Sequence, residues 1–157
     1  MGLNYFNFTH KRARLSPAVL SVPILDELVA KPIRARLGGK LRIAISGGAP
    51  LAPAVGELFI AMGVPVLQGY GLTETSPMVT GNTLQHNQPS SVGIPLEGVE
   101  LAIDDENQEL LVRGPNVMLG YLKNDQATTE AVDEDGWFHT GDQAKIEDGY
   151  VLSLIHI

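Results

Sequence analysis

The chain has 157 residues, 44% of them hydrophobic, and a formal net charge of −7. This length is sufficient for one hydrophobic core. Cysteine is absent, which excludes a disulfide framework and is compatible with a cytoplasmic protein. The sequence contains no apolar run long enough to span a bilayer, and its first ten residues lack the pattern of a signal peptide.

Charge is distributed unevenly along the chain. Residues 1–45 carry eight basic and two acidic side chains, whereas residues 97–157 carry fourteen acidic and three basic ones. Residues 46–96, between them, contain only two charged side chains, Glu57 and Glu74. Because unpaired charges are costly in a protein interior, this middle region is predicted to form a buried sheet with ligand-binding loops.

The basic residues at the start belong to a predicted helical segment, residues 1–40. Ser16–Pro17 is a typical helix start, Gly38–Gly39 is a typical end, and prolines at positions 23 and 32 interrupt the pattern, which predicts two short helices or one kinked helix. The positive charge suits peripheral contact with the inner face of a membrane, although a solvated helix face explains it more simply. We expect no nucleic-acid binding, because aromatic residues are not interleaved with the basic ones.

Residues 41–96 have the pattern of a strand, helix, strand unit. Val64 to Leu67 is a short apolar run typical of a buried strand, Leu41 to Ile45 is a strand-like run, and Pro53 to Met62 has the spacing of an amphipathic helix. A glycine-containing loop follows each strand, at residues 46–51 and 68–74. Such units form parallel sheets, and open parallel sheets bind ligands at the carboxyl ends of their strands, where both loops are predicted to lie.

The second loop carries three side chains suited to a nucleotide. Tyr70 offers a flat ring for a base, Thr73 a hydroxyl for phosphate, and Glu74 a carboxylate for a divalent cation. Glycines at 69 and 71 are predicted to let the backbone turn sharply and approach a ligand. Taken singly, a half-buried ring, a helix-start carboxylate and a plain turn explain these residues equally well.

Residues 97–150 are predicted to form a mostly antiparallel module. Alternation from Val99 to Ile103, followed by a polar turn and a strand at Glu109 to Arg113, is typical of a hairpin. Asp125 to Val132 is predicted to be a short helix. A second hairpin is predicted from Gln143 to Glu147, turning at Asp148–Gly149.

One further candidate residue lies between these elements, in the segment Gly136 to Asp142. Asp142 is predicted to sit on a glycine turn, where its two carboxylate oxygens suit the paired hydroxyls of a ribose. A simple turn aspartate is the structural alternative. Trp137 and Phe138 are predicted core residues, and His139 is expected to pack or to form a hydrogen bond.

These motifs, in this order and spacing, resemble the AMP-forming acyl-CoA synthetases of the adenylate-forming superfamily. Ser91 to Leu96 and Glu109 to Tyr121 carry the resemblance as well, which extends from about residue 16 to Tyr150. Bacterial long-chain fatty acid CoA ligases are the most similar branch. The resemblance implies an α/β fold corresponding to part of the large N-terminal domain, with a parallel βαβ unit and a mostly antiparallel β module.

The resemblance also implies roles for individual residues. Thr73 would contact the α-phosphate, Glu74 would bind Mg²⁺, both thereby taking part in catalysis, and Asp142 would hold the ribose hydroxyls. The remaining nucleotide-binding residues would line the adenine side or follow the base and its phosphates, with Tyr70 stacking: Gly48, Ala49, Pro50, Gln68, Gly69, Tyr70, Gly71 and Leu72.

The implied reaction has two steps. A fatty carboxylate attacks the α-phosphate of ATP to give acyl-adenylate and pyrophosphate, and the thiol of coenzyme A then displaces AMP. ATP, Mg²⁺, coenzyme A and a fatty acid are therefore the expected small molecules. Another adenylate-forming enzyme, such as an aryl-CoA ligase or a peptide-synthetase adenylation domain, and a non-catalytic nucleotide-binding fragment remain alternatives.

The resemblance does not cover every family feature. A glycine, serine and threonine-rich phosphate loop, a hinge and a lysine-bearing C-terminal domain have no counterpart in this sequence. Residues 151–157 do not align with the family and are interpreted as a truncated tail, after a basic segment (1–40), a nucleotide-binding subdomain (41–96) and a β-rich subdomain (97–150). We therefore expect the chain alone to bind nucleotide weakly and not to form thioester.

Overall fold

Two four-stranded sheets form the frame of the protein. The computed structural model describes residues 26–156, with side chains up to residue 152. The first sheet has the order β1-β2-β3-β4 and the second the order β5-β6-β7-β8, so the chain completes one sheet before it starts the next. This is the predicted α/β architecture.

The first sheet contains the parallel unit that the sequence predicts. Its strands are β1 (Ala44–Ser46), β2 (Val66–Tyr70), β3 (Thr80–Gly81) and β4 (Ile94–Pro95). β1 pairs with β2 in parallel, and β3 and β4 add antiparallel neighbours. The sheet is therefore mixed, with its parallel pair at one edge.

Strand β2 lies further along the chain than predicted. The predicted strand ended at Leu67 before a sharp turn at Gly69, but Gly69 lies inside β2 and pairs with Gly81. A β-carbon at Gly69 would lie 2.9 Å from the Met78 methyl carbon and 3.1 Å from the Thr80 carbonyl oxygen. Close strand contact, and not a turn, is thus what requires glycine at this position.

A helix, α2, connects β1 to β2, after a shorter helix, α1, near the start of the described chain. α1 spans Lys31–Arg36 and follows one π-helical turn, Asp26–Ala30. α2 spans Pro53–Ala61, one residue shorter than predicted, with proline in its first turn. The Arg34 guanidinium donates to the Met62 carbonyl oxygen (2.8 Å) and so ties α1 to the end of α2. The predicted helix start at Ser16–Pro17 and Pro23 lie outside the described residues.

The second sheet is antiparallel throughout, as predicted. Its strands are β5 (Glu100–Ile103), β6 (Glu109–Arg113), β7 (Phe138–Glu147) and β8 (Tyr150–His156). The predicted turn at Asp148–Gly149 joins β7 to β8, with positive φ at both residues. Helix α3, Asp125–Ala131, precedes β7 and is capped by the Asn124 side chain, which accepts from the Ala127 amide.

The hydrophobic core joins the two sheets. Val79, next to β3, packs in one cluster with residues of the second sheet: Leu101, Ile103, Leu110, Val112, Ala144 and Val151. Trp137, predicted to be core, is buried in a second cluster with Ala102 and Leu111. Phe138, also predicted to be core, is buried too. The shared core means that neither sheet is packed independently of the other.

The end of the chain belongs to this structure. Residues 151–156 of the segment interpreted as a tail belong to β8, which begins at Tyr150. Val151 is fully buried, and its backbone bonds to Val92 (3.0 Å) and Gly93 (2.9 Å) connect the second sheet to the first. Of this segment, Val151 is the residue that packs in the core, in the cluster that joins the two sheets. The proposed division into four segments stays a prediction.

Candidate functional site

A pocket of about 460 Å³ opens where the carboxyl ends of β1 and β2 approach β7. This volume is within the range of small-molecule sites, roughly 300–1,000 Å³. The lining residues come from the two predicted glycine loops, from the segment before β4 and from β7: Gly48, Ala49, Pro50, Leu51, Pro53, Gln68, Gly69, Tyr70, Gly71, Leu72, Pro89, Ser90, Ser91, Val92 and Asp142. The loops that the sequence predicts at one sheet edge therefore meet.

Tyr70 and Asp142 are joined by a hydrogen bond in the wall of this pocket. The Tyr70 hydroxyl donates to Asp142 Oδ2 at 2.6 Å across 72 positions of sequence. Burial, and secondly this hydrogen bond to the carboxylate, raises the pKa of Tyr70 well above its usual value. Tyr70 therefore stays a neutral donor at physiological pH, and its donated proton fixes the position of the carboxylate beside the ring.

Asp142 lies on a strand bulge, not on the predicted glycine turn. Glu109 pairs with Gln143 and Leu111 with His139, so three residues of β7 (140–142) stand opposite the single Leu110. Gly141 takes a left-handed backbone at φ 71°, which a glycine adopts without strain. Bulges redirect side chains, and this one turns Asp142 toward Tyr70.

Gln68 has a structural role in the pocket wall. Its side-chain oxygen accepts from the Leu51 amide (3.2 Å), and its side-chain nitrogen donates to the Pro89 carbonyl oxygen (2.7 Å). Both ends of the buried amide thus connect two loops that line the pocket. Gln68 lines the pocket, its hydrogen bonds connect the two loops, and its predicted contact with the nucleotide stays a prediction.

The segment before β4 contributes lining residues that the sequence reasoning missed, namely Pro89 to Val92. Buried Asn82 organises this segment, because its amide nitrogen donates to the Ser91 carbonyl oxygen (3.0 Å) and its oxygen accepts from the Gln88 amide (2.8 Å). The motif beginning at Ser91 supported the resemblance without being assigned to the pocket. The available signal was that this motif lies in the region 46–96, whose charged side chains are only Glu57 and Glu74.

Gly71 follows β2 where the backbone is tightly confined. A β-carbon there would overlap the carbonyl group of Pro77. Gly71 does not have the positive φ of a sharp turn, so lack of space is what requires glycine. Gly48, which also lines the pocket, has φ 78°, and a β-carbon at this position would meet no atom within 4 Å, so the space beside it is open.

Thr73 and Glu74 lie beside the pocket and do not line it. They form a short 3-10 turn, Thr73–Thr75, directly after the lining residue Leu72. Glu74 Oε1 accepts from the Tyr121 hydroxyl at 2.9 Å, and the Glu74 carbonyl oxygen accepts from the Met118 amide at 2.8 Å. The structure thus brings Gly48, Tyr70 and Asp142 together at one pocket, with Glu74 next to it.

The donor set at Glu74 suits a magnesium ion held mostly by phosphate. Among the residues whose side chains the structure describes, no three His, Cys, Asp or Glu are grouped closely enough to hold a metal ion. Mg²⁺ commonly binds through one or two carboxylates together with substrate phosphates and water, so a single carboxylate at the pocket margin is compatible with it.

Within the described residues, no helix is long and apolar enough to cross a membrane.

Known proteins are similar to this chain in sequence. Residues 10–122 match the family described as AMP-binding enzyme. The long-chain-fatty-acid–CoA ligase FadD15 of Mycobacterium bovis is 46% identical over 129 residues, which are 82% of this chain and 21% of that protein. The peroxisomal long chain acyl-CoA synthetase 6 of Arabidopsis thaliana is 38% identical over 149 residues, 86% of this chain and 21% of that protein. The chain spans about a fifth of the length of these relatives.

Solved structures of similar proteins give the same assignment. Apo MatB from Rhodopseudomonas palustris has a TM-score of 0.69 and 33% identity over 86% of this chain and 30% of its own. O-succinylbenzoate coenzyme A synthetase from Bacillus subtilis, in complex with AMP, has a TM-score of 0.66 and 26% identity over 80% of this chain and 30% of its own. The chain therefore belongs to the AMP-binding enzyme family, among the adenylate-forming acyl-CoA ligases.

Proposed function

We propose that this chain forms the adenosine-binding part of an AMP-forming long-chain fatty acid CoA ligase. The Tyr70–Asp142 hydrogen bond carries the proposal, because it places an aromatic ring and a carboxylate side by side in one pocket wall. An adenosine needs both groups, the ring for its base and the carboxylate for its ribose. A carboxylate accepts up to about four hydrogen bonds, so an Asp142 that accepts from Tyr70 can also accept from two vicinal hydroxyls.

The proposed roles of the other residues follow from their position. Gly48, Ala49 and Pro50 form the open wall on the adenine side, and residues 68–72 form the wall that continues toward Thr73 and Glu74. Thr73 would donate to the α-phosphate, and Glu74 would hold Mg²⁺. When bound, Mg²⁺ supplies neutralisation of the phosphate charge that builds up as the carboxylate attacks.

Long-chain fatty acids are the proposed acids for this site. The relatives that support them carry this substrate in their names and are 38% and 46% identical, whereas the o-succinylbenzoate enzyme is 26% identical. An aryl acid, as in an aryl-CoA ligase, or an amino acid, as in a peptide-synthetase adenylation domain, remains the alternative within the family. A comparison of pyrophosphate release with palmitate and with o-succinylbenzoate, each supplied with ATP to a protein that contains this chain, would distinguish a fatty acid from an aryl acid as substrate.

We further propose that the isolated chain binds AMP but does not form thioester. Within the part of the chain that the structure describes, the residues lining the pocket include no lysine or arginine, so the pocket wall itself supplies no cation there. Incubation with ATP, Mg²⁺, coenzyme A and palmitate should therefore yield no acyl-CoA. Thioester formation at the rate of a full-length ligase would contradict this proposal.

Peripheral contact with a membrane is a separate proposal. The basic residues of segment 1–40 support it, since Lys and Arg are attracted to anionic lipid. Cosedimentation with phosphatidylglycerol vesicles, but not with phosphatidylcholine vesicles, is the expected result. A cytoplasmic location is proposed on the composition of the chain, which contains no cysteine. Equal cosedimentation with the two kinds of vesicle would count against the membrane contact.

Replacement of the proposed ribose ligand tests the function directly. We expect Asp142→Asn to weaken AMP binding about tenfold or more, since a hydrogen bond to a charged group contributes roughly 1.5–3 kcal/mol. Asp135→Asn is the matched control, because Asp135 is exposed and is not among the lining residues. Isothermal titration calorimetry with AMP measures both variants. Equal affinities of the two variants for AMP would contradict the proposal.

A further inference from the structure

Glu109 is a buried carboxylate that no proposed role explains. It stands at the start of β6, only 7% exposed, and does not line the pocket. Its Oε1 accepts from the Gly141 amide at 2.8 Å, and its Oε2 lies 3.2 Å from Nδ1 of His139. Both contacts are to β7, one on the residue immediately before Asp142. Buried carboxylates are costly unless they are well bonded, so this one requires an explanation.

The contacts of Glu109 fall on the bulge that aims Asp142. Within the bulge, residues 140–142 do not continue regular pairing with β6, and their polar groups find other partners. The Gly141 amide donates to Glu109, the Asp142 amide donates to the Thr140 hydroxyl at 3.1 Å, and that hydroxyl donates to the Leu110 carbonyl oxygen at 2.8 Å. Glu109 is thus the carboxylate that holds the left-handed Gly141 in place.

We propose that Glu109 is a positioning residue for the ribose-binding carboxylate, acting through the Gly141 amide on the direction in which Asp142 points. The inference rests on the proposed function, since it assumes that Asp142 binds the ribose hydroxyls. Glu109 itself touches no substrate. Its loss lets the bulge relax toward regular pairing, which turns Asp142 away from Tyr70 and from the ribose.

A nucleotide without ribose hydroxyls separates this role from a general role in folding. AMP and 2′,3′-dideoxy-AMP share base and phosphate and differ only in the groups that Asp142 is proposed to bind. A variant that merely loosens the protein weakens both ligands equally, whereas a variant that misplaces Asp142 weakens AMP alone. The ratio of the two dissociation constants, measured by calorimetry, is therefore the readout.

Two substitutions of Glu109 give a graded expectation. Glu109→Gln retains an oxygen that accepts from the Gly141 amide and loses the charge, whereas Glu109→Ala removes the acceptor. We expect the preference for AMP over the dideoxy compound to fall roughly two- to threefold in Glu109→Gln and roughly fivefold or more in Glu109→Ala, the range for one lost hydrogen bond. Glu134→Gln, at an exposed site, removes the same charge and should leave the preference unchanged.

The order of substitution supplies a second criterion. In an Asp142→Asn background, Glu109→Gln should cause no further loss of AMP affinity, because the group that it positions is already altered. If Glu109→Ala does not fold, Glu109→Gln and this double variant decide the question alone.

Three results would overturn the inference. An unchanged preference in the folded Glu109 variants removes it and leaves the proposed function intact. Additive losses in the double variant have the same consequence. A native chain that binds AMP and the dideoxy compound equally removes the ribose role of Asp142, and with it both proposals.

Discussion

The two sheets differ in how completely their apolar side chains are covered. In the second sheet Leu110, Val112 and Val151 have no exposed surface. In the first sheet Ile45 on β1 is 78% exposed, and Leu58 on α2 is 57% exposed. Since burial of apolar surface is the dominant favourable contribution to folding, the second sheet is expected to provide most of the stability of the described chain.

The less covered first sheet contributes most of the residues that line the pocket. All its lining residues except Asp142 come from the first sheet and its connecting segments. The less covered sheet thus presents the loops, whereas the well-packed sheet contributes one carboxylate held on a fixed strand. Ligand groups placed on packed strands are oriented more accurately than groups on loops. The Tyr70–Asp142 bond is where the two arrangements meet.

The largest expected effect contrasts two leucines, Leu110 in the second sheet and Leu58 on α2, the helix that connects β1 and β2 of the first sheet. Leu110→Ala should lower the free energy of unfolding by about 2–5 kcal/mol, because it leaves a cavity in a closed core. Leu58→Ala, at a half-exposed site on α2, should change it by less than about 1 kcal/mol. Urea denaturation followed by circular dichroism measures both. Comparable losses would show that the first sheet is as important for stability as the second.

A glycine substitution tests the pocket side of the comparison. Gly71→Ala should destabilise the protein by about 1–3 kcal/mol and weaken AMP binding, because its methyl group would overlap Pro77 and displace the segment after β2. Gly47→Ala is the matched control, since its β-carbon would lie 3.5 Å from the nearest atom, an ordinary contact. Thermal unfolding and AMP titration of both variants check this. Equal behaviour would mean that the segment shifts without cost.

The parallel unit and the antiparallel module are the parts of the fold that could be predicted from the sequence. Apolar runs of strand length, helical spacing from Pro53 and the turn at Asp148–Gly149 are local signals, and the structure confirms the elements they predict. Strand ends were less predictable. Gly69 has the local sequence of a turn residue. It lies in a strand because it packs closely against Thr80, and no local sequence pattern indicates this contact.

The convergence of Tyr70 and Asp142 on one pocket could be predicted, because each residue type suits one part of the same ligand; the roles of both residues stay predictions. The bulge could not be predicted, since Gly141–Asp142 has the local sequence of a turn, and the contacts that keep it within a strand come from distant residues, Glu109 on β6 and the paired strand β8. The lining residues from Pro89 to Val92 were missed for a similar reason: buried Asn82, whose bonds organise them, looks like an ordinary loop residue in sequence. The roles of Thr73 and Glu74 stay predictions.

The smallest expected effect concerns the bond between the sheets, and it emerges only at alkaline pH. An unfolded tyrosine ionises near pH 10, whereas burial and the bond to Asp142 raise the pKa of Tyr70 in the folded protein. Below about pH 10 both states keep the proton. Above it the unfolded state binds fewer protons, so the free energy of unfolding should fall as the pH rises.

Tyr70→Phe removes this contribution and leaves the other tyrosines in place. The variant should lose less stability than the native chain between about pH 10 and 11, while the difference between the two stays constant from pH 7 to 9. Asp142→Asn should reproduce only part of this change, because burial is the larger cause of the raised pKa and the bond to the carboxylate the smaller one. Urea titrations across this pH range measure the difference, and parallel curves for native chain and Tyr70→Phe would show that Tyr70 ionises equally easily in both states.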